Sequence, residues 1–303
     1  MNRLDDNIRD DELRVLGKSS SFGTGKKRFR WYYVLLIVLG LSVLIFAVCR
    51  LSGSDGEKPV DDFYETTLAD STMVPAPLFI PDRLGDYSDT TTAYTEHLQM
   101  SVNDIPLDIF IPHNAKPRLF IGTPDLNDKS IVFTTQAADI RADNGKITGA
   151  FVLAGEPKAW GLSKKGYCGI IDDKITVGVA DNSPLFEEAT ETGGYFFRQY
   201  PLVDNGVLVE NEPKGKAIRK AICDRAGEIL IVMSQTQESF HDFAQALVDL
   251  GADNAIYLVG STSYGYFRDS LGQLFIIYDK KRGGQKYENH LQWVDIMDKQ
   301  RKD

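Results

Sequence analysis

An apolar run, Ala255-Ile256-Tyr257-Leu258-Val259, gives way abruptly to Gly260-Ser261-Thr262-Ser263. A strand that ends in small polar residues can bring hydroxyl groups and backbone close to a ligand. Ser261 and Ser263 could donate hydrogen bonds to a bound oxygen, or could serve as ordinary turn residues. No acid, histidine or cysteine stands between Ile256 and Tyr266, so this stretch lacks the usual proton carriers. Arg219 has the planar guanidinium that suits a phosphodiester. It also belongs to a basic run with Lys214, Lys216 and Lys220, which would sit equally well on a solvated surface. His97, His113 and His290 are scattered, with no spacing that suggests a metal site or a triad. Gly193–Phe197 offers aromatic faces for sugar stacking or for core packing. No pattern points to a particular cofactor or metal. Phe22-Gly23-Thr24-Gly25-Lys26-Lys27 lacks the spacing of a phosphate loop and follows no strand.

The elements that must position these residues are mostly short strands. β-rich runs cover Leu107–Pro112, Arg118–Gly122, Ser130–Thr135, Ile147–Ala154, Cys168–Asp172, Lys174–Ala180 and Glu228–Ser234. Turns are expected at Asp143-Asn144-Gly145, Asp172-Asp173 and Arg225-Ala226-Gly227. One amphipathic helix is expected over Ser239–Gly251. Phe240, Phe243, Ala244 and Leu247 share a face, Ser239 caps the start and Gly251 marks the end. His241 falls on its polar side. A strand, this helix and the Ala255–Val259 strand form a unit whose crossover should make the two strands parallel. Leu274–Asp279 adds a strand, and Leu291–Met297 reads as a short terminal helix. The expected fold is α+β and strand-rich, with a mixed sheet and few helices.

The chain is 303 residues long with a net charge of -9, which argues against nucleic acid as a partner. Its 43% hydrophobic and 25% charged residues describe a globular protein. Trp31–Cys49 carries no charge and is long enough to cross a bilayer core. Lys26, Lys27, Arg28 and Arg30 precede it, whereas only Arg50 follows closely. This asymmetry implies a transmembrane signal anchor with a cytoplasmic N-terminus. The expected organisation is a disordered tail over 1–30, the anchor over 31–50, an acidic linker over 51–75 and an extracytoplasmic domain over 76–303. Membrane contact runs through the Trp31–Cys49 helix. Besides Cys49 there are Cys168 and Cys223, which could pair in an oxidising compartment. Nothing in the sequence sets an oligomeric state.

Several segments together resemble the phosphodiester glycosidase family, over roughly residues 100 to 278. Phe133–Ile140 matches a strand that in the family ends in asparagine and glycines. Tyr200–Gly206 matches an apolar, leucine-valine and glycine segment. Arg219 matches an arginine just ahead of a strand. Ser239–Ser263 matches a helix with a Phe-x-x-Phe-Ala core and the apolar strand that follows. Four departures stand out. The family's strand-end aspartate is Val259 here, its asparagine is Gln136, and the following glycines are Ala137 and Ala138 with Asp139 next. The serine-glycine ahead of the leucine-valine has become Arg198-Gln199-Tyr200. Valine can neither bind a metal nor accept a proton.

The resemblance implies a strand-rich phosphodiester glycosidase-like domain acting on a glycan or glycosyl phosphodiester. Arg219, Asp139 and Gln136 are the candidate catalytic residues. Gly260, Ser261, Ser263 and Arg198 are the candidate substrate-binding residues. Two functions remain open: a hydrolase of glycosyl phosphodiesters in envelope or extracellular glycans, and a catalytically reduced homologue that binds a glycan or an envelope protein.

Overall fold

Period-two alternation of apolar residues, broken by turns that need a positive φ, divides the chain into short hairpins. Asn103-Asp104, Asp172-Asp173 and Ala226-Gly227 all take left-handed φ values, the geometry that two-residue hairpin turns demand. The computed structural model describes residues 80–86, 91–260, 263–278 and 287–295. All of them fall within Pro77–Asp303. The N-terminal tail, the Trp31–Cys49 segment, the linker and Ser261 lie outside the described residues. Among the described residues no helix is long and apolar enough to cross a membrane.

The described strands form three sheets. The largest runs from edge to edge as β1 (Tyr94–Val102), β2 (Ile105–His113), β13 (Glu228–Ser234), β12 (Lys220–Arg225), β14 (Asn254–Leu258), β10 (Pro201–Asp204) and β11 (Val207–Leu208). The second is β16 (Leu274–Tyr278), β15 (Gly265–Arg268), β4 (Ile131–Gln136), β17 (Asn289–Asp295) and β3 (Ala115–Ile121). The third is β6 (Glu156–Trp160), β5 (Ala150–Leu153), β9 (Tyr195–Gln199), β7 (Gly166–Ile171) and β8 (Lys174–Val179). Among the described residues two helices accompany them, α1 (Leu185–Thr192) and α2 (Phe240–Asp249).

The mixed sheet is corrected. Every ladder between the described strands is antiparallel. β13 and β14 do run parallel, but β12 lies between them and is antiparallel to both. The reason is local. The Ala226-Gly227 turn folds β13 straight back onto β12, so the crossover through α2 must place β14 on the far side of β12. The terminal helix is corrected too. Asn289–Asp295 is a strand held between β3 and β4. Leu291 and Trp293, two residues apart, both face the core, a spacing that suits a strand and not a helix.

The inner faces of the three sheets share one core. Phe110, Ile222, Ile256 and Leu258 come from the first sheet, Phe133, Leu291 and Trp293 from the second, and Phe151, Cys168 and Phe197 from the third. The other face of the first sheet is covered by α2 through Phe240, Phe243, Ala244 and Leu247, the four residues of its apolar stripe. Ser239 caps α2 by accepting the Asp242 N–H, and Gly251 follows with φ +93°. α1 covers the third sheet around Ala189 and Phe196. Cys168 and Cys223 are buried and unpaired, and they belong to different core clusters.

Candidate functional site

β14 ends in a backbone junction. The Val259 N–H donates to the Ala137 carbonyl at 3.2 Å, and the Val259 carbonyl accepts from Ser263 Oγ at 2.8 Å. The Val259 side chain is 7% exposed. Gly260 then passes through a gap that admits no side chain. A β-carbon there would lie 2.5 Å from the Ile218 carbonyl oxygen and 2.8 Å from the Tyr257 hydroxyl. That close approach lets the Gly260 N–H donate to the Tyr257 hydroxyl at 3.0 Å. The Gln136–Asp139 segment is fixed from the other side by Asn289. Its Oδ1 accepts the Ala138 N–H at 2.7 Å, and its Nδ2 donates to the Ala138 carbonyl at 3.0 Å.

One polar cluster lies on the α2 face of β14. The Arg219 guanidinium stacks 4.0 Å from the centre of the Phe240 ring and 5.9 Å from that of Tyr257. Its Nε donates to the Glu238 carbonyl at 2.9 Å and its Nη2 to that of Gly215. Burial pushes the Tyr257 hydroxyl above its ordinary range and the Asp139 charge adds to this. The Gly260 N–H and Arg219 pull the other way without cancelling it. Lys164 holds Asp139 in an ion pair, donates to Gln199 Oε1 at 2.9 Å, and sits 4.5 Å above the Tyr200 ring.

A second cluster lies on the opposite face, in the core between the sheets. Lys220 opens β12 opposite Leu258 and Met233, and its side chain enters the core. It is 1% exposed. Its Nζ donates to Thr135 Oγ1 at 2.9 Å and to Ser263 Oγ at 2.8 Å. Burial pushes the ammonium down to about 7. His290 lies on β17 opposite Gln136 of β4. Burial drives its imidazole down to about 3; the Gly122 backbone opposes this, and the nearby Lys220 charge adds to it. The Glu288 carboxylate is 4.0 Å from its Nε2. The Gln136 Nε2 is buried without a hydrogen-bond partner.

The candidate residues are therefore divided. Arg219 and Gly260 meet at Tyr257, while Asp139 is paired with Lys164, which sits over the Tyr200 ring next to it. Ser263 and Gln136 belong to the core-facing side, Ser263 on Lys220 and Gln136 beside His290. Arg198 stands elsewhere. Its guanidinium donates to the carbonyls of Lys164 and Ala180, each at 3.1 Å, and of Asp181 at 2.8 Å. It fastens the loop that carries Lys164 and lines a separate cavity of about 580 Å³ with Trp160, Leu162 and Phe186. Ser261 lies outside the described residues.

Sequence reasoning missed Tyr257, Tyr200, Lys164 and Lys220 as members of the site. Lys220 did leave a signal: period-two alternation puts it on the same inward face as Ile222. Lys164 left none, since its partner Asp139 is 25 residues away. His241 pairs with Glu210 at 2.7 Å on the surface. Among the described residues no group of three or more acidic, histidine or cysteine side chains is placed to hold a metal ion.

The profile of the phosphodiester glycosidase family matches residues 132–291, more than half of the chain. The chain belongs to the phosphodiester glycosidase family. A hypothetical protein from Synechocystis is similar in structure, with 14% identity and a TM-score of 0.48 over 68% of this chain and 64% of that one. This chain thus spans less than two thirds of the length of the Synechocystis protein. The auto-inhibited catalytic domain of zebrafish N-acetylglucosamine-1-phosphodiester alpha-N-acetylglucosaminidase is similar with 11% identity and a TM-score of 0.47. That comparison covers 69% of this chain and 85% of the zebrafish domain. No curated protein matches the chain.

Proposed function

We propose that this protein is a membrane-anchored, extracytoplasmic hydrolase of glycosyl phosphodiesters in envelope or extracellular glycans. The Trp31–Cys49 segment supplies the anchor, and the basic excess before it keeps the N-terminus in the cytoplasm. The observation that carries the reading is the Arg219 guanidinium stacked on Phe240 and near the Tyr257 ring, beside the Gly260 junction that bonds the Tyr257 hydroxyl. A phosphodiester needs cationic charge and N–H or O–H donors, which Arg219 and Tyr257 offer. Ser261 belongs to the same proposed loop. Glycosidic cleavage builds positive charge on the sugar carbon, which a carboxylate stabilises. Asp139 supplies that carboxylate in place of Val259, with Lys164 fixing its position. Gln136 and Arg198 then support the site by holding its walls.

The buried Val259 side chain favours a second reading, a domain that binds glycans without cleaving them. One assay separates the two. The full-length protein in detergent is incubated with an N-acetylglucosamine α-phosphodiester, with and without divalent metal, beside Arg219→Ala and Asp139→Asn. Release of sugar that fails in both variants supports the hydrolase. Saturable glycan binding without release, in every metal condition, establishes the binding module.

A further inference from the structure

Trp160 closes β6, the edge strand of the third sheet, and the chain then runs through Leu162 to Lys164. Trp160 and Leu162 are each 67% exposed, whereas Trp293 is buried in the core. Both exposed side chains line the cavity of about 580 Å³, together with Phe186 of α1. Ligand cavities run from about 300 to 1,000 Å³ and combine apolar walls with a few polar groups. The polar groups here are Asn182, Ser183, Glu187 and Arg198. Among the described residues the side chains of Asn182 and Glu187 have no partner. Ser183 Oγ accepts the Leu185 N–H at 3.3 Å, and its own proton can be donated. The buried Arg198 guanidinium is already bound to three carbonyls. The cavity therefore offers a carboxylate, an amide and a hydroxyl beside an open indole, with no free cation to hold a phosphate. Those groups suit a neutral ligand that has an apolar face and a rim of hydroxyls. A pyranose ring has both: its C–H face stacks on an aromatic ring, and its hydroxyls bond carboxylate and amide groups.

We propose that this cavity is a saccharide subsite, which holds a neutral sugar of the same substrate beyond its phosphodiester. The inference rests on the hydrolase reading above. Trp160 is the stacking platform, and Glu187 and Asn182 are the hydroxyl partners. One loop joins the subsite to the candidate site. Trp160 and Leu162 line the cavity, and Lys164 on the same loop pairs with Asp139. The loop is held at close quarters. A β-carbon at Gly161 would lie 3.2 Å from the Gly149 Cα, and Arg198 donates to the Lys164 carbonyl at 3.1 Å. A sugar seated on Trp160 thus touches the segment that positions the Asp139 carboxylate. The subsite selects for a substrate longer than one sugar.

The test titrates the full-length protein in detergent with neutral trisaccharides of N-acetylglucosamine, of mannose and of glucose, by calorimetry and tryptophan fluorescence. At least one should bind the wild type with a Kd of about 1 mM or tighter and shift the emission of the exposed Trp160. Trp160→Ala should weaken that binding by at least about 10-fold, and Trp160→Phe should restore most of it. Glu187→Gln should weaken it by a few-fold. Trp160 and Glu187 are both exposed, so these variants keep the fold. An N-acetylglucosamine α-phosphodiester whose alcohol carries the bound trisaccharide should show a KM at least about 10-fold below that of the methyl diester, and Trp160→Ala should erase the difference. Three results would overturn the subsite and leave the hydrolase standing: no trisaccharide bound at about 10 mM, binding that survives Trp160→Ala, or equal KM values for the two diesters. Trp160-dependent binding by a wild type that cleaves neither diester would overturn the hydrolase and keep the cavity as a saccharide site.

Discussion

Replacing Lys220 with methionine should stabilise the fold near neutral pH, and the size of the effect follows from its surroundings. Burial moves the ammonium from 10.5 down to about 7. Between those values the unfolded chain carries a proton that the folded chain lacks, so wild-type stability rises with pH at about 1.4 kcal/mol per unit. Across the window the difference is about 5 kcal/mol, and below pH 7 the full penalty is present. Methionine removes the penalty but leaves Thr135 and Ser263 each short of a donor, at about 1 kcal/mol apiece. The net gain at pH 6 is thus about 3 kcal/mol, and the two stability curves cross near pH ~9. Other groups act in the alkaline part. Burial pushes the thiols of Cys168 and Cys223 far up, so above their ordinary 9.0 the unfolded chain sheds protons that the folded chain keeps, and stability falls. That contribution is common to both proteins and cancels in their difference. Urea unfolding from pH 6 to 9.5, followed by tryptophan fluorescence with Trp293 buried in the core, gives the difference directly. A methionine variant less stable than wild type at pH 6, with a difference that does not change with pH, would refute the reasoning.

The imidazole of His290 is driven from 6.5 down to about 3, so wild-type stability should fall as pH drops through that interval. His290→Phe should flatten this acid limb, as read by unfolding midpoints between pH 4 and 7. Ser239→Ala removes the oxygen that accepts the Asp242 N–H at the start of α2 and should cost about 1 kcal/mol, seen as a lower Tm with kcat unchanged. Gly260→Ala forces a methyl group against the Ile218 carbonyl and the Tyr257 hydroxyl. It should cost about 1–3 kcal/mol and weaken phosphodiester binding, measured by thermal unfolding and calorimetric titration.

The helix that covers the first sheet was legible to its cap because cap, apolar stripe and terminal glycine are all local in sequence. The same holds for Glu228–Ser234, which is a strand over those very residues. What failed was non-local. A seven-residue apolar segment such as Leu291–Met297 fits a helix or a strand by composition, and the choice was made by β3 and β4 pairing on both sides of it. α1 was missed because it is eight residues long and buries only Ala189, too little to leave a stripe. For the site, the motif around Val259 points to the end of β14, where Arg219 lies near the Tyr257 ring and Asp139 pairs with Lys164. Arg198 donates to three backbone carbonyls, and a sequence does not separate such an arginine from one that binds a ligand.

The exchange of an acid for Val259 is easier to understand from the backbone than from the side chain. Val259 uses both of its peptide groups, one toward Ala137 and one toward Ser263, so position 259 is a fixed post joining β4 to the loop after β14. A buried carboxylate at that post would need its own donors, whereas a valine fills the space without polar demands. Charged groups can still reach this strand end from its neighbours. Asp139 stands two residues beyond Ala137, and Lys220 stands opposite Leu258 on the adjacent strand. Both are anchored by contacts to other elements, Asp139 through Lys164 and Lys220 through Thr135. The chemistry of such a site is set by what surrounds the strand end. A motif reading of position 259 alone finds only the loss.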